Sequence, residues 1–113
     1  MKVLVFGYSE SLDRFSNIAT NLLKEYKHEV LTINPRMEAE LSRINTEYDT
    51  LTLYVNPQIG DKFADMLLKS KPKRVIFNPG TENSNLQKKF EAMGVEVVIG
   101  CTLVMLRSNQ FDG

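Results

Sequence analysis

Three asparagine-proline pairs lie at a constant spacing of 22 residues, as Asn34-Pro35, Asn56-Pro57 and Asn78-Pro79. An asparagine amide both donates and accepts hydrogen bonds, so it can hold a polar ligand group. Each pair directly follows a run of β-forming residues, and proline ends a strand because it has no N–H for the ladder. In open parallel α/β sheets, ligands bind beyond the carboxyl ends of the strands. The spacing therefore predicts a shared ligand-binding edge, with simple strand termination as the alternative.

A fourth run of β-forming residues, 2–6, ends at Gly7 and leads into a serine-rich segment. Gly7 permits close approach of the backbone, and the serines offer short hydroxyl donors. A helix is predicted just behind this segment, and its N-terminus, together with Arg14, is suited to a phosphate. The acidic residues Glu10 and Asp13 weaken this interpretation, and a loop with Asp13 as an ordinary helix N-cap is equally consistent with the sequence.

The segments after the second and fourth runs add further candidate residues. The G-x-G-x-x-G fingerprint of dinucleotide sites is absent, and Arg36 stands where an acidic residue would hold a ribose diol. An arginine at this place suits a ribose phosphate. After the fourth run, Gly80 allows close ligand approach and Asn78 can bind an amide or a base edge. Thr81 is either part of this site or the N-cap of the next helix.

The elements that position these residues follow from hydrophobic periodicity. Strands are predicted at residues 2–6, 30–33, 51–55, 74–77 and 95–99. An apolar stripe from Phe15 to Tyr26 predicts a helix lying on the sheet, and further helices are predicted at 58–70 and 82–93. A shorter helix is predicted near 37–44, and 102–106 suits a closing helical turn. The alternation predicts a three-layer, doubly wound, parallel five-stranded sheet of Rossmann-like type, with strand order 3-2-1-4-5.

Length and composition narrow the class of protein. A chain of 113 residues with 42% hydrophobic content predicts one domain spanning 1–113. Lysine plus arginine equals aspartate plus glutamate at 14 each, which argues against nucleic-acid or membrane partners. Cys101 is the single cysteine, and no signal-peptide or metal-ligand pattern is present, so a cytoplasmic protein without a metal is expected. His28, at the opposite edge from the predicted site, is expected to face solvent.

Taken together, the motifs resemble a known family. Gly7-x-Ser9, Arg14-x-Ser16, the three asparagine-proline pairs and the closing Gly100-Cys101-Thr102-Leu103-Val104 are similar to the small stand-alone bacterial CoA-binding proteins. Those proteins resemble the N-terminal CoA-binding domain of the succinyl-CoA synthetase α subunit. The resemblance implies a Rossmann-like domain that binds coenzyme A, acyl-CoA or a related nucleotide across the strand ends, with no established reaction.

The predicted ligand-binding residues combine the strand-end positions with those of the resemblance. They are Gly7, Tyr8, Ser9, Arg14, Ser16, Asn34, Pro35, Arg36, Asn56, Pro57, Asn78, Pro79, Gly80 and Thr81. No catalytic residue is assigned, because this edge offers few groups for general acid–base chemistry. A binding module for CoA or acyl-CoA, alone or with a partner subunit or a second copy, is the favoured interpretation. A small transferase or reductase that uses another adenine nucleotide is the alternative.

Overall fold

Five short strands alternate with helices in a computed structural model that describes residues 1–44 and 47–112. The strands are β1 (Lys2–Phe6), β2 (Glu29–Ile33), β3 (Thr50–Leu53), β4 (Arg74–Phe77) and β5 (Glu96–Ile99). The helices are α1 (Phe15–Glu25), α2 (Glu38–Leu41), α3 (Pro57–Lys62), α4 (Ala64–Lys69), α5 (Ser84–Ala92) and α6 (Thr102–Arg107). All neighbouring strands are parallel, which confirms the predicted α/β class.

The strand order agrees with the prediction only in part. It is β2-β1-β3-β4-β5, so β3 lies between β1 and β4 and not at the outer edge beside β2. Every residue of β3 is buried, whereas β2 begins with exposed Glu29 and continues with half-buried residues, as suits an edge strand. The buried Thr52 hydroxyl accepts a hydrogen bond from the Asn78 amide at 2.7 Å, which requires β3 beside β4. The direction of winding therefore reverses between β1 and β3.

Alternate residues of each strand face two apolar cores, one on each side of the sheet. Leu4, Phe6 and Phe77 belong to the core covered by α4 and α5. Val3, Val5 and Ile76 face the opposite core, which α1 and α6 cover. This alternation with a period of two gives the predicted three layers.

Two predicted helices are divided or capped at residues other than those expected. The helix expected at 58–70 is divided at Phe63, whose backbone leaves the helical region and whose ring packs edge-on against Phe6 at 5.8 Å. The N-cap of α5 is Asn83, which accepts the Leu86 N–H at 3.1 Å, and not Thr81. The Thr81 hydroxyl instead donates to the Asn78 carbonyl at 2.7 Å, in the turn that follows β4.

His28 is buried at the amino-end edge of the sheet, so the expectation that it faces solvent is wrong. Its Nε2 lies 3.0 Å from an Asp112 carboxylate oxygen, and its Nδ1 lies 3.3 Å from the Met1 nitrogen. Phe111 packs edge-on against the imidazole at 5.0 Å, and the Arg74 guanidinium lies 4.5 Å above the same phenyl ring. The segment after α6 thus folds back over this edge and covers the histidine.

Candidate functional site

Two adjoining cavities lie beyond the carboxyl ends of β1, β2, β3 and β4. The first, of about 400 Å³, reaches the loop after β4 and is lined there by Pro79, Gly80 and Thr81. The second, of about 270 Å³, reaches the loop after β2 and is lined there by Asn34, Pro35 and Arg36. The two share the wall residues Gly7, Ser9, Arg14, Tyr54, Val55 and Asn56. They form one strand-end groove, with a β4 lobe and a β2 lobe, across the point where the winding reverses.

Gly7 forms the floor of this groove between its two lobes. Its backbone has φ of +104°, and a Cβ there would lie 2.8 Å from the carbonyl carbon and oxygen of Tyr54. The N–H groups of Gly7 and Tyr8 both donate to the Ile33 carbonyl, at 2.8 and 3.0 Å. The Tyr54 N–H donates to the Phe6 carbonyl at 2.8 Å. Glycine is therefore needed here so that the loops after β1 and β3 can pack directly on each other.

The first turn of α1 fixes the loop that follows Gly7. The Ser16 hydroxyl accepts the Ser9 N–H at 3.1 Å. The Asn17 amide donates to the Ser9 carbonyl at 3.0 Å and to the Tyr8 hydroxyl at 3.2 Å. Asn17 was not among the predicted site residues, because an asparagine inside a helix carries no sequence signal for such a contact.

Positive charge is presented to the groove by two arginines and by the start of α1. Arg14 precedes the first turn of α1, where no side chain caps the N–H groups. Arg14 lines both lobes, and Arg36 lines the β2 lobe. Within residues 1–44 and 47–112, neither guanidinium forms an ion pair. The uncapped helix start and the two exposed cations together can bind an anion such as a phosphate.

Asn34 and Asn56 shape the turns beside the groove and retain donors for a ligand. The Asn34 side-chain oxygen accepts the Arg36 N–H at 3.0 Å, and that of Asn56 accepts the Ile59 N–H at 2.9 Å as the N-cap of α3. In the described part of the chain, the NH₂ groups of both amides have no hydrogen-bond partner. Strand termination and ligand binding are thus compatible at these two positions.

Asn78 differs, because its side chain is buried and engaged by the fold. Its NH₂ group donates to the Thr52 hydroxyl at 2.7 Å and to the Leu53 carbonyl at 2.8 Å. Its oxygen accepts the Thr102 N–H at 2.9 Å. Thr102 Oγ1 also lies 2.8 Å from Thr52 Oγ1. The Asn78 amide therefore joins β3, β4 and the start of α6, and it positions the edge rather than meeting a ligand directly.

Tyr54 and Val55 form the central wall of the groove, although the sequence assigned them to the third strand. β3 ends at Leu53, so both residues lie in the loop that follows it. Burial raises the pKa of Tyr54 to about 12. The phenol lies close to the hydroxyls of Thr52 and Thr102 without a hydrogen bond of good geometry. Because burial disfavours the charged phenolate, the Tyr54 phenol keeps its proton to a higher pH than an exposed tyrosine does.

The β4 lobe is open above Gly80 and bounded by α1. Gly80 has φ of +90°, and a Cβ there would meet no atom within 4 Å. Its N–H donates to a Glu82 carboxylate oxygen at 2.7 Å. Phe15, expected to pack against the sheet, is instead 69% exposed and lines this lobe together with Asp13. Two of the predicted ligand-binding residues, Pro57 and Asn78, lie outside the lining of both lobes.

Comparison with known proteins identifies the family. The model of a family described as CoA binding domain matches residues 1–107. The chain belongs to this CoA-binding domain family. A solved structure of an uncharacterized protein is 38% identical to this CoA-binding domain, covers 97% of both chains and superposes with a TM-score of 0.86.

More distant structures share the fold alone. One is a protein from Thermus thermophilus, 21% identical over 97% of this chain and 90% of its own, with a TM-score of 0.85. Another is a hypothetical protein from Pyrococcus horikoshii OT3, 22% identical over 96% of this chain and 82% of its own, with a TM-score of 0.79. No curated protein matches the sequence. Among the described residues, no helix has the length and apolar character needed to cross a membrane.

Proposed function

We propose that the strand-end groove binds coenzyme A and that the protein acts as a CoA-binding module. The observation that carries this proposal is the convergence of Arg14, Arg36 and the uncapped start of α1 on one groove. Coenzyme A is a polyanion at its nucleotide end, and the family to which the chain belongs is that of CoA binding domains. The groove lies where ligands of open parallel sheets bind.

The residues of the groove fit the chemistry of coenzyme A. The two arginines and the helix N–H groups suit the phosphates. The NH₂ groups of Asn34 and Asn56 can donate to carbonyl or base acceptors. Gly80 leaves the wall open to a ligand, because the position of its missing Cβ has no neighbour within 4 Å. The β4 lobe, of about 400 Å³, is of the size expected of ligand sites, about 300–1,000 Å³, and the adjoining β2 lobe, of about 270 Å³, is slightly smaller.

Arg36 is proposed to meet the 3′-phosphate of the ribose. It follows the turn after β2, where an acidic residue would hold a free ribose diol in a dinucleotide site. Its backbone N–H is fixed by the Asn34 side chain, so the position of its Cα is defined while its guanidinium is free to reach a ligand. Dephospho-CoA, which lacks this phosphate, therefore isolates the contribution of Arg36.

The test is titration calorimetry with CoA and dephospho-CoA. Arg36→Gln is expected to weaken CoA binding about 10-fold. This is the lower end of the effect of losing a charged hydrogen bond, because the side chain is open to solvent. The affinity for dephospho-CoA is expected to fall much less. Arg107→Gln, which removes the same charge from the end of α6 outside the groove, serves as the matched control.

Two results would contradict the proposal at different levels. Equal losses for CoA and dephospho-CoA would mean that Arg36 does not contact the 3′-phosphate. Absence of CoA binding at millimolar concentration and low salt would remove CoA as the ligand. Tighter binding of another adenine nucleotide in that case would favour the enzyme interpretation.

A further inference from the structure

The side chain of Asn17 fixes the direction of a hydrogen bond to a neighbouring hydroxyl group. Asn17 lies in the first turn of α1 and is only 5% exposed. Its Nδ2 lies 3.0 Å from the Ser9 carbonyl oxygen and 3.2 Å from the Tyr8 hydroxyl oxygen. A carbonyl oxygen can only accept, so the Asn17 group that faces it must be the NH₂ group. Both hydrogens of that group are then used, one by Ser9 and one by Tyr8.

The Tyr8 hydroxyl is therefore an acceptor within the fold, and its own proton remains to be donated. The Asn17 oxygen accepts from the Asn21 amide at 3.1 Å, which agrees with this orientation of the Asn17 side chain. A phenol can donate one hydrogen bond while it accepts another. In the stretches 1–44 and 47–112, no group accepts the Tyr8 O–H. The hydrogen bonds from Asn21 through Asn17 thus end in a held phenol that can donate to a ligand.

Tyr8 lies beside the loop that carries Arg36. Its backbone N–H donates to the Ile33 carbonyl at 3.0 Å, and Ile33 is the last residue of β2, three residues before Arg36. Tyr8 and Arg36 both line the β2 lobe, and neither lines the β4 lobe. Tyr8 also packs against the apolar core on the side of the sheet that α1 covers. Packing therefore holds the residue in place, and Asn17 holds its hydroxyl.

The charges around the β2 lobe favour an anionic acceptor for the Tyr8 proton. Arg14 and Arg36 line this lobe, and none of its described lining residues is a carboxylate. The β4 lobe differs, because Asp13 lines it. A hydroxyl that donates to an oxyanion forms a short bond, roughly twice as strong as a bond between neutral groups. A phosphate oxygen bound by Arg36 is thus an acceptor that suits the Tyr8 O–H.

We infer that the Tyr8 hydroxyl donates a hydrogen bond to the same phosphate as Arg36, and that Asn17 is the positioning residue that directs this donor. The inference rests on the proposed function, in which this phosphate is the 3′-phosphate of CoA. It adds a neutral, directional donor to the mobile cation. Recognition of the 3′-phosphate then depends on the geometry set by α1 as well as on charge.

The test is titration calorimetry of Tyr8→Phe with CoA and dephospho-CoA. This substitution keeps the ring and removes only the hydroxyl. The affinity for CoA is expected to fall about 10-fold, the lower end for a hydrogen bond to a charged group, and the affinity for dephospho-CoA should change by less than about twofold. Tyr26→Phe is the matched control and should change neither affinity, because Tyr26 caps the C-terminal end of α1, is 41% exposed and lines neither lobe.

A second variant tests the role of Asn17. Asn17→Ala leaves the Tyr8 hydroxyl free to rotate, so the affinity for CoA should fall more than that for dephospho-CoA. Adding Tyr8→Phe to Asn17→Ala should then weaken CoA binding by less than about threefold, because the two residues act through one hydrogen bond. A full further 10-fold loss would show that Asn17 does not direct the hydroxyl. Equal losses for CoA and dephospho-CoA in Asn17→Ala would indicate a purely structural role.

The possible failures separate the two proposals. If Tyr8→Phe leaves the affinity for CoA unchanged, the inference is overturned and the CoA site stands. If Tyr8→Phe weakens CoA and dephospho-CoA by the same factor, the hydroxyl does not meet the 3′-phosphate and the inference is likewise overturned. If the parent protein binds neither ligand, the proposed function fails and the inference fails with it. Circular dichroism of each variant at the temperature of the titration verifies that it remains folded.

Discussion

Replacing Gly7 with alanine should destabilise the protein more than any other glycine-to-alanine change described below. The new Cβ would lie 2.8 Å from the carbonyl carbon and oxygen of Tyr54 and 2.8 Å from a methyl carbon of Val55. Tyr54 cannot retreat freely, because its N–H is held by the Phe6 carbonyl at 2.8 Å. The residue must also keep φ near +104°, which disfavours a side chain.

The expected loss combines these two effects. Backbone strain contributes about 1–3 kcal/mol and the clash about 1–3 kcal/mol, so the free energy of unfolding should fall by about 2–6 kcal/mol. Domains of this size have only about 5–15 kcal/mol in total. Gly94→Ala is the matched control, since Gly94 has φ of +81° but no atom within 4 Å of its Cβ position. The difference between the two variants therefore measures the clash alone.

Urea unfolding followed by far-ultraviolet circular dichroism gives both free energies, and the chain has no tryptophan to provide an alternative probe. The denaturant slopes of the two variants should agree, because both proteins expose the same surface on unfolding. Equal losses for Gly7→Ala and Gly94→Ala would show that the loops after β1 and β3 are not in the close contact described above. That result would also remove the floor of the proposed groove.

Two further predictions concern Gly80 and the buried tyrosines. Gly80→Ala should lower stability by about as much as Gly94→Ala, about 1–2 kcal/mol, because both sites have positive φ and open space. In addition, it should reduce the rise in melting temperature caused by CoA, because Gly80 lines the β4 lobe and Gly94 lines neither lobe; a full CoA-dependent rise would exclude Gly80 from the site. Burial raises the pKa of both Tyr48 and Tyr54 from 10.0 to about 12. Because the folded state retains protons that the unfolded state releases, this stabilisation is complete below pH 10 and is lost as the pH rises to about 12. Urea midpoints should fall as the pH is raised across this range, and the fall should be smaller in Tyr54→Phe. If the midpoints of Tyr54→Phe fall as steeply with pH as those of the parent protein, the Tyr54 phenol is not buried.

The sequence predicts the strands and their common edge because both are encoded locally. Proline follows the last residue of β2 and β4 by two residues and that of β3 by four, and apolar periodicity identifies the main helices. The position of β3 was predicted incorrectly because periodicity does not encode which strands are neighbours. That choice depends on contacts between distant residues, such as the hydrogen bond between Asn78 and Thr52.

Within the candidate site, the charged and backbone elements were predictable, whereas the packing was not. The placement of Arg14 and Arg36 at the groove could be predicted, because they follow strands β1 and β2 in the sequence. Phe15 was assigned to the core because a helical stripe does not reveal where the sheet beneath it ends. Asn78 was expected to bind a ligand because its type and position cannot show that its donors and acceptor are already satisfied within the fold.

The attachment of the Tyr8-Ser9 loop to α1 determines how ligand entry affects conformational entropy. Ser16 and Asn17 hold the Ser9 backbone, and Asn17 also donates to the Tyr8 hydroxyl, so binding need not order the loop. The freedom lost is then chiefly that of long side chains such as Arg14 and Arg36, at about 0.5–1.5 kcal/mol for each. We therefore expect a nearly rigid receptor, whose association rate is set by encounter and electrostatic attraction and not by loop closure.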